Sequence, residues 1–173
     1  MHLVLSLPPA LREPLLGRVP AVETRSAFEE LVRGARRILK IVAPYVDPTI
    51  TGLLNGVTVP VRIVTTATAG RPSRPNPVLE RLSGSRSLDV RYLRESADRA
   101  LMYQAQAKLL LADGERAYVG SANLTDTSMH YNLELGLYVT EATTVSAIDR
   151  FFDVLFDRVA VAAKDLRGGR DEE

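Results

Sequence analysis

Gln106-Ala107-Lys108-Leu109-Leu110-Leu111-Ala112-Asp113-Gly114-Glu115-Arg116-Ala117-Tyr118-Val119-Gly120-Ser121-Ala122-Asn123 is the stretch that decides how this chain is read. Asp113-Gly114 is a tight-turn signal, because both residue types tolerate the left-handed backbone that a two-residue hairpin needs. The flanking runs then become two short strands. Residues two apart in a strand point to the same side. Gln106 and Lys108 therefore project together, and so do Ser121 and Asn123 if the extended run persists that far. A third pair, Asn132 and Glu134, follows at the same spacing in the next strand-like run. Three polar pairs at period two, inside otherwise apolar strands, predict one polar pocket.

Outward from the hairpin, apolar and polar runs alternate. Ser26-Ala27-Phe28-Glu29 has the form of a capping box and opens a helix through Leu31, Val32 and Ala35. Residues 38–43 are an apolar, β-branched strand of the kind found at a sheet centre. Asp47-Pro48 starts a short helix that Asn55-Gly56 stops. Val59 to Thr66 reads as a strand with Pro60 near its start, and Thr66 to Asn76 as a loop. Asn76-Pro77 begins a helix ending near Gly84, and Leu88 to Leu93 is a strand. Residues 94–105 give no clear pattern. A helical turn is expected near 125–130 and a strand over 132–140. The last helix carries an apolar stripe at Val145, Ile148, Phe152, Leu155 and Val159. Residues 8–16 are a proline-punctuated lead-in, and 164–173 a polar tail. Strands alternating with helices predict an α/β sandwich, a mixed sheet flanked by helices, in one domain over 1–173 with its core at about 26–161.

Composition narrows the chemistry. The chain has 173 residues, 46% apolar and 25% charged, enough for one domain with a core. There is no cysteine, so disulfides and thiolate metal sites are excluded, and His2 and His130 are the two histidines. No metal and no cofactor are expected. The formal net charge of +1 means that any nucleic-acid surface is a local patch. No apolar run approaches membrane-spanning length, and no secretory leader is visible, so the expected setting is the cytoplasm, away from membranes.

The motif spacing resembles the signature of the phospholipase D superfamily: His-x-Lys, four residues, Asp, six residues, Gly-Ser-x-Asn, and a downstream Asn-x-Glu. Lys108, Asp113, Gly120, Ser121, Asn123, Asn132 and Glu134 fall at the family's positions. Gln106 stands where the family has histidine. The resemblance implies a phospholipase D-like sandwich and metal-independent phosphodiester chemistry. One histidine attacks phosphorus and a second protonates the leaving oxygen. It also implies a homodimer with the site on its two-fold axis, because a single-signature chain must pair with another copy. Carried over residue by residue, Lys108 is the phosphate cation, and Asn123 and Ser121 meet phosphate oxygens. Glu134, with no imidazole to orient, bonds the Gln106 amide. Asp113 is a turn or structural carboxylate. Gln106 cannot form a phosphohistidine. Losing a nucleophile costs on the order of 10⁶ in turnover, so the implied molecule is a pseudo-enzyme that grips phosphodiesters without cutting them efficiently.

Several readings stay open at this point. Gln106 is either the natural residue of a degenerate family member or an engineered substitution in a working phosphodiesterase. An active endonuclease and a protein-binding scaffold are the alternatives to a nucleic-acid binder. Small single-signature domains also resemble components of bacterial restriction and phage-defence systems, which implies defence-system partners. Arg71, Arg74, Arg81 and Arg86 are candidates to follow a nucleic-acid backbone, or else a solvated surface. Tyr92 and Tyr103 are the nearest aromatics. His130 is read as an exposed helix-turn histidine in preference to a replacement nucleophile.

Overall fold

The computed structural model describes residues 1–15, 17–67, 74–83, 87–93 and 105–167. In chain order the elements are β1 (His2–Ser6), α1 (Pro9–Leu15), β2 (Ala21–Glu23), α2 (Thr24–Gly34), β3 (Leu39–Val42), α3 (Thr49–Leu53), β4 (Val61–Thr66), α4 (Pro77–Ser83), β5 (Leu88–Leu93), β6 (Lys108–Ala112), β7 (Arg116–Gly120), α5 (Asp126–His130), β8 (Glu134–Val139), α6 (Ala142–Val154) and β9 (Val161–Ala162). A π-helical turn, Leu155–Val159, lies between α6 and β9.

The strands form one mixed sheet in the order β2-β1-β8-β7-β6-β3-β4-β5-β9. The predicted hairpin is its middle. Asp113 and Gly114 both take positive φ, 61° and 69°, and turn β6 directly into β7. β3 lies between β6 and β4, antiparallel to the first and parallel to the second, and all four of its residues are buried. The α/β sandwich with a mixed sheet is thus as the sequence predicted.

Alternation along each strand divides the core between two faces. On one face, Val4, Ile41, Ile63, Leu110, Tyr118 and Tyr138 pack with Ala27, Phe28, Leu31 and Val32 of α2. On the other, Val42, Val64, Leu109, Leu111 and Ala117 meet Val145 and Phe152 of α6 and Phe156 of the π turn. Lys40 of β3 points to this second face. Its Nζ lies 2.6 Å from both Asp149 Oδ1 and Asp153 Oδ1, so an ion triad fastens α6 to the sheet.

This second layer is incomplete. Val119 is 41% exposed, Leu135 58% and Leu137 39%, and Phe151 of α6, which lines one cavity with Val119, is 50% exposed. The ladder aligns Val119 with Leu137, Leu137 with Leu3 and Leu135 with Leu5. Apolar side chains of β7 and β8, aligned with those of β1, therefore form a partly open strip that begins at the edge of α6, where Val119 shares a cavity with Ile148 and Phe151.

Three local expectations change. The lead-in over 8–16 holds a helix, α1, and the runs on either side of it join the sheet, since β1 pairs antiparallel with β8 and β2 adds parallel to β1; both strand runs are too short to announce themselves by periodicity. α2 begins at Thr24, and its N-cap Glu23 makes no side-chain cap bond. Glu29, expected in a capping box, instead pairs with Arg25 at 3.0 Å and Arg33 at 3.4 Å. In the last helix the π turn inserts a residue, with Ala160 N donating to Leu155 O five residues back. Phe156 thereby replaces Val159 in the apolar stripe, leaving Val159 52% exposed. No helix of the described residues is long and apolar enough to cross a membrane.

Candidate functional site

The ladder brings the polar pairs to one end of the sheet. Lys108 is directly opposite Gly120, Gly120 is opposite Gly136, and Glu134 is opposite Ser6 of β1. Gly120 and Gly136 have a shared physical reason. The Tyr118 side chain lies along this face of the sheet, and a Cβ at Gly136 would run into its ring, while one at Gly120 would meet its hydroxyl. That hydroxyl accepts the Ala122 N–H at 3.1 Å, and the ring packs edge-on to Phe28 with centroids 4.8 Å apart. Burial pushes the phenol up to about 12 against the lowering bond from Ala122, and the Glu134 charge raises it further. Tyr118 is therefore a neutral pillar under the turn that carries Ser121 and Asn123.

Glu134 is 7% exposed and fully engaged. Ser121 Oγ donates to its Oε2 at 2.5 Å, and Asn132 Nδ2 donates to its Oε1 at 3.1 Å. Ser121 Oγ also accepts the Leu135 N–H at 3.0 Å. Two expectations are corrected here. Glu134 does not bond Gln106, and Ser121 commits its proton to Glu134, so it is a positioning residue with no donor to spare for a phosphate.

Gln106 instead turns its oxygen to Lys108, whose Nζ donates at 3.0 Å. Its NH₂ end then presents donors outward. Asn123 is oriented likewise: its Oδ1 accepts the Tyr45 N–H at 3.3 Å, which leaves the NH₂ as the group on offer. Lys108, Gln106 and Asn123 thus each have donors to offer, the first with a positive charge, which is chemistry suited to an anion. Asp113 sits at the hairpin's far turn. Its carboxylate accepts the N–H groups of Arg36 at 2.8 Å, Arg37 at 2.7 Å and Ile38 at 2.9 Å. Burial raises this carboxyl's pKa, but those three bonds outweigh it and hold the pKa below the usual value. Its role is structural, as expected.

Arg74 and Arg81 are exposed. The segment after Arg74 abuts the site wall, because Asn76 Nδ2 donates to Val46 O at 3.0 Å, one residue beyond Tyr45. Arg71, Arg86 and Tyr103 lie outside the described residues. Tyr92 is 1% exposed and cannot offer its ring to a ligand. His130 has both nitrogens occupied: Nδ1 is 2.8 Å from Asp126 Oδ1, and Arg25 donates to Nε2 at 3.3 Å. That fits the helix-turn reading. Sequence reasoning missed Tyr45 and Tyr118, whose roles depend on chain crossings. Gly136 did carry a signal, since an isolated strand glycine often marks a close approach.

These features define a phospholipase D-like domain, and the chain belongs to the family described as cardiolipin synthase, PLD-like domain, whose model matches residues 30–156. The fold is shared with NucT from Helicobacter pylori, at a TM-score of 0.68 and 17% identity over 92% of this chain and 98% of that one. It is shared also with Nuc from Salmonella typhimurium, a phospholipase D family member, at 0.60 and 14% over 92% and 96%. The phosphatidylserine synthase of Haemophilus influenzae matches at 0.58 and 18%, over 80% of this chain and 37% of that one. A comparison with curated proteins gave no match.

Proposed function

We propose that this chain binds the phosphodiesters of nucleic acid at Lys108, Gln106 and Asn123, and that it does not cleave them efficiently. Lys108 carries the reading. It is 8% exposed, and its one side-chain acceptor among the described residues is the neutral Gln106 amide. A buried ammonium without a counter-charge is costly. A phosphate oxygen supplies that charge, and the NH₂ groups of Gln106 and Asn123 add neutral donors. The Ser121–Glu134–Asn132 knot holds this end of the sheet in shape. Gln106 occupies the family's histidine position, and a carboxamide neither attacks phosphorus nor exchanges a proton near neutral pH. Binding therefore outlives turnover.

A homodimer completes the proposal. The partly open strip of Val119, Leu135, Leu137 and Phe151 supports it, because an exposed apolar surface of this kind marks an interface. Val119 and Leu135 are the chain neighbours of Gly120 and Glu134, so a second copy seated there lies beside the first copy's donors.

Fluorescence anisotropy with a labelled oligonucleotide tests the binding. Lys108→Met and Asn123→Ala are each expected to weaken it, with Lys108→Met also lowering its salt dependence. Unchanged affinity in both variants would remove the site assignment. Incubation with DNA and RNA in EDTA is expected to give no cleavage for the chain as it stands, and cleavage on Gln106→His. Cutting by the unaltered chain would instead establish an active phosphodiesterase.

A further inference from the structure

We propose that Tyr45 and Tyr131 are stacking platforms for unpaired bases at the rim of the Lys108–Asn123 cradle, so that the site takes single-stranded nucleic acid in preference to duplex. This rests on the phosphodiester reading above and names the form of nucleic acid.

Tyr45 is conspicuous for its surroundings. Every residue of 39–46 is buried except Tyr45, which is 52% exposed. Its backbone is fixed on both sides. Thr65 Oγ1 donates to Ala43 O and Thr66 Oγ1 to Pro44 O, each at 2.7 Å, and Asp47 N donates to Leu124 O at 3.2 Å. The Tyr45 N–H itself orients Asn123. Its ring makes no aromatic contact and its hydroxyl no hydrogen bond with any described residue. A fixed backbone that presents an unpartnered aromatic next to an anion donor leaves only the two side-chain torsions of a tyrosine to be ordered on binding.

Tyr131 is the second exposed tyrosine, its ring meeting only that of His130 among the described rings, edge-on with centroids 6.2 Å apart. It is 61% exposed and immediately precedes Asn132, which donates to Glu134. Its N–H and that of Asn132 both donate to Thr127 O at 2.9 Å, which pins this corner too. The aromatic content of the chain is only 6%, and neither ring joins a core cluster. Base faces in a duplex are already stacked on one another, whereas those of a single strand are free to lie on tyrosine. Stacking is also tolerant of sequence, which suits a cradle whose other groups contact only the backbone.

The test measures Kd by anisotropy for three probes: a short single-stranded oligonucleotide, its duplex, and an abasic sugar-phosphate oligomer of the same length. The single strand is expected to bind tightest. Tyr45→Ala and Tyr131→Ala are each expected to weaken it by roughly 5- to 150-fold, to leave the abasic oligomer unchanged, and to be rescued by Phe or Trp. Lys108→Met weakens all three probes. Equal binding of the single strand and the abasic oligomer, or alanine variants that bind the single strand normally, overturns the stacking and leaves the cradle standing. Binding to none of the probes overturns both.

Discussion

Lys40 and Lys108 stand on neighbouring strands, and both are nearly buried, at 6% and 8% exposure. Their surroundings differ. Lys40 is closed in by Asp149 and Asp153, each at 2.6 Å, with the Phe152 ring 5.6 Å away. Lys108 has the Gln106 amide at 3.0 Å and an open side. One charge is neutralised within the fold, and the other meets no carboxylate among the described residues. Burial of a lysine is therefore no guide to its function; what matters is whether a carboxylate reaches it.

The largest effect that can break this contrast is in stability. Lys40→Ala strands two carboxylates against each other and is expected to cost about 3 kcal/mol, the low end for a broken buried pair because Asp153 keeps 43% of its side chain in water. Chemical denaturation measures it. Lys108→Met removes a cation with no carboxylate partner among the described residues and is expected to be neutral or stabilising in the same experiment. If both variants lose the same stability, Lys108 is as structural as Lys40 and the distinction fails.

The next effect is the reverse readout. A charge-assisted hydrogen bond contributes about 1.5–3 kcal/mol, so Lys108→Met is expected to raise the Kd for a single-stranded oligonucleotide at least tenfold. Asp149→Asn perturbs the closed cluster and should leave the Kd alone. Titrations of the two variants side by side decide whether the site and the clamp are independent.

The sequence showed much of this and hid the rest for identifiable reasons. The hairpin was legible because Asp113-Gly114 is a turn signal and its arms are apolar at fixed spacing. The period-two pairs put Lys108, Ser121 and Glu134 at one sheet end, which the ladder reproduces. The partners within the site were not legible. Spacing says that Gln106 and Lys108 share a side, but not that Ser121 would take the Glu134 oxygen that Gln106 was expected to meet. Tyr45 is distant in sequence from Asn123, and only the crossing of residues 43–47 past 121–126 joins them. Likewise Lys40 looked like one polar residue in an apolar run, because its carboxylates lie on a helix more than a hundred residues away.

The site's rigidity can be sharpened through Tyr118. Gly136→Ala drives a methyl group into the Tyr118 ring and is expected to cost about 1–3 kcal/mol, the range for overpacking. In a Tyr118→Leu background the added cost of Gly136→Ala should shrink, because its nearest neighbours all belong to Tyr118. Gly120→Ala behaves differently. Its methyl also meets Gly136 Cα at 2.6 Å and Leu135 O at 2.7 Å, backbone atoms that cannot move aside. A double-mutant cycle on thermal stability therefore gives coupling between 118 and 136 and little relief at 120. Equal relief at both glycines would mean that the pillar is not what fixes them.

The smallest effect concerns the helix that supplies the Lys40 partners. Glu141 caps α6, accepting the N–H groups of Thr143 at 2.9 Å and Thr144 at 2.7 Å and the Thr144 hydroxyl at 2.6 Å. The Thr144 hydroxyl and these N–H groups lower its pKa from 4.5 to about 2. A folded-state value below the unfolded one means that the ionised cap stabilises above pH 4.5 and loses that contribution as pH falls toward about 2. Glu141→Gln keeps an acceptor oxygen but removes the titration, so its stability should fall less steeply across that window than the parent's. Asp113, whose carboxyl is also held low, gives the same sign. Asp113→Asn should therefore flatten the acid limb further, and the double variant should flatten it most. Chemical denaturation at a series of acid pH values reads the slope, and an unchanged slope in Glu141→Gln would show that α6 is held by the Lys40 triad and its apolar face without help from its cap.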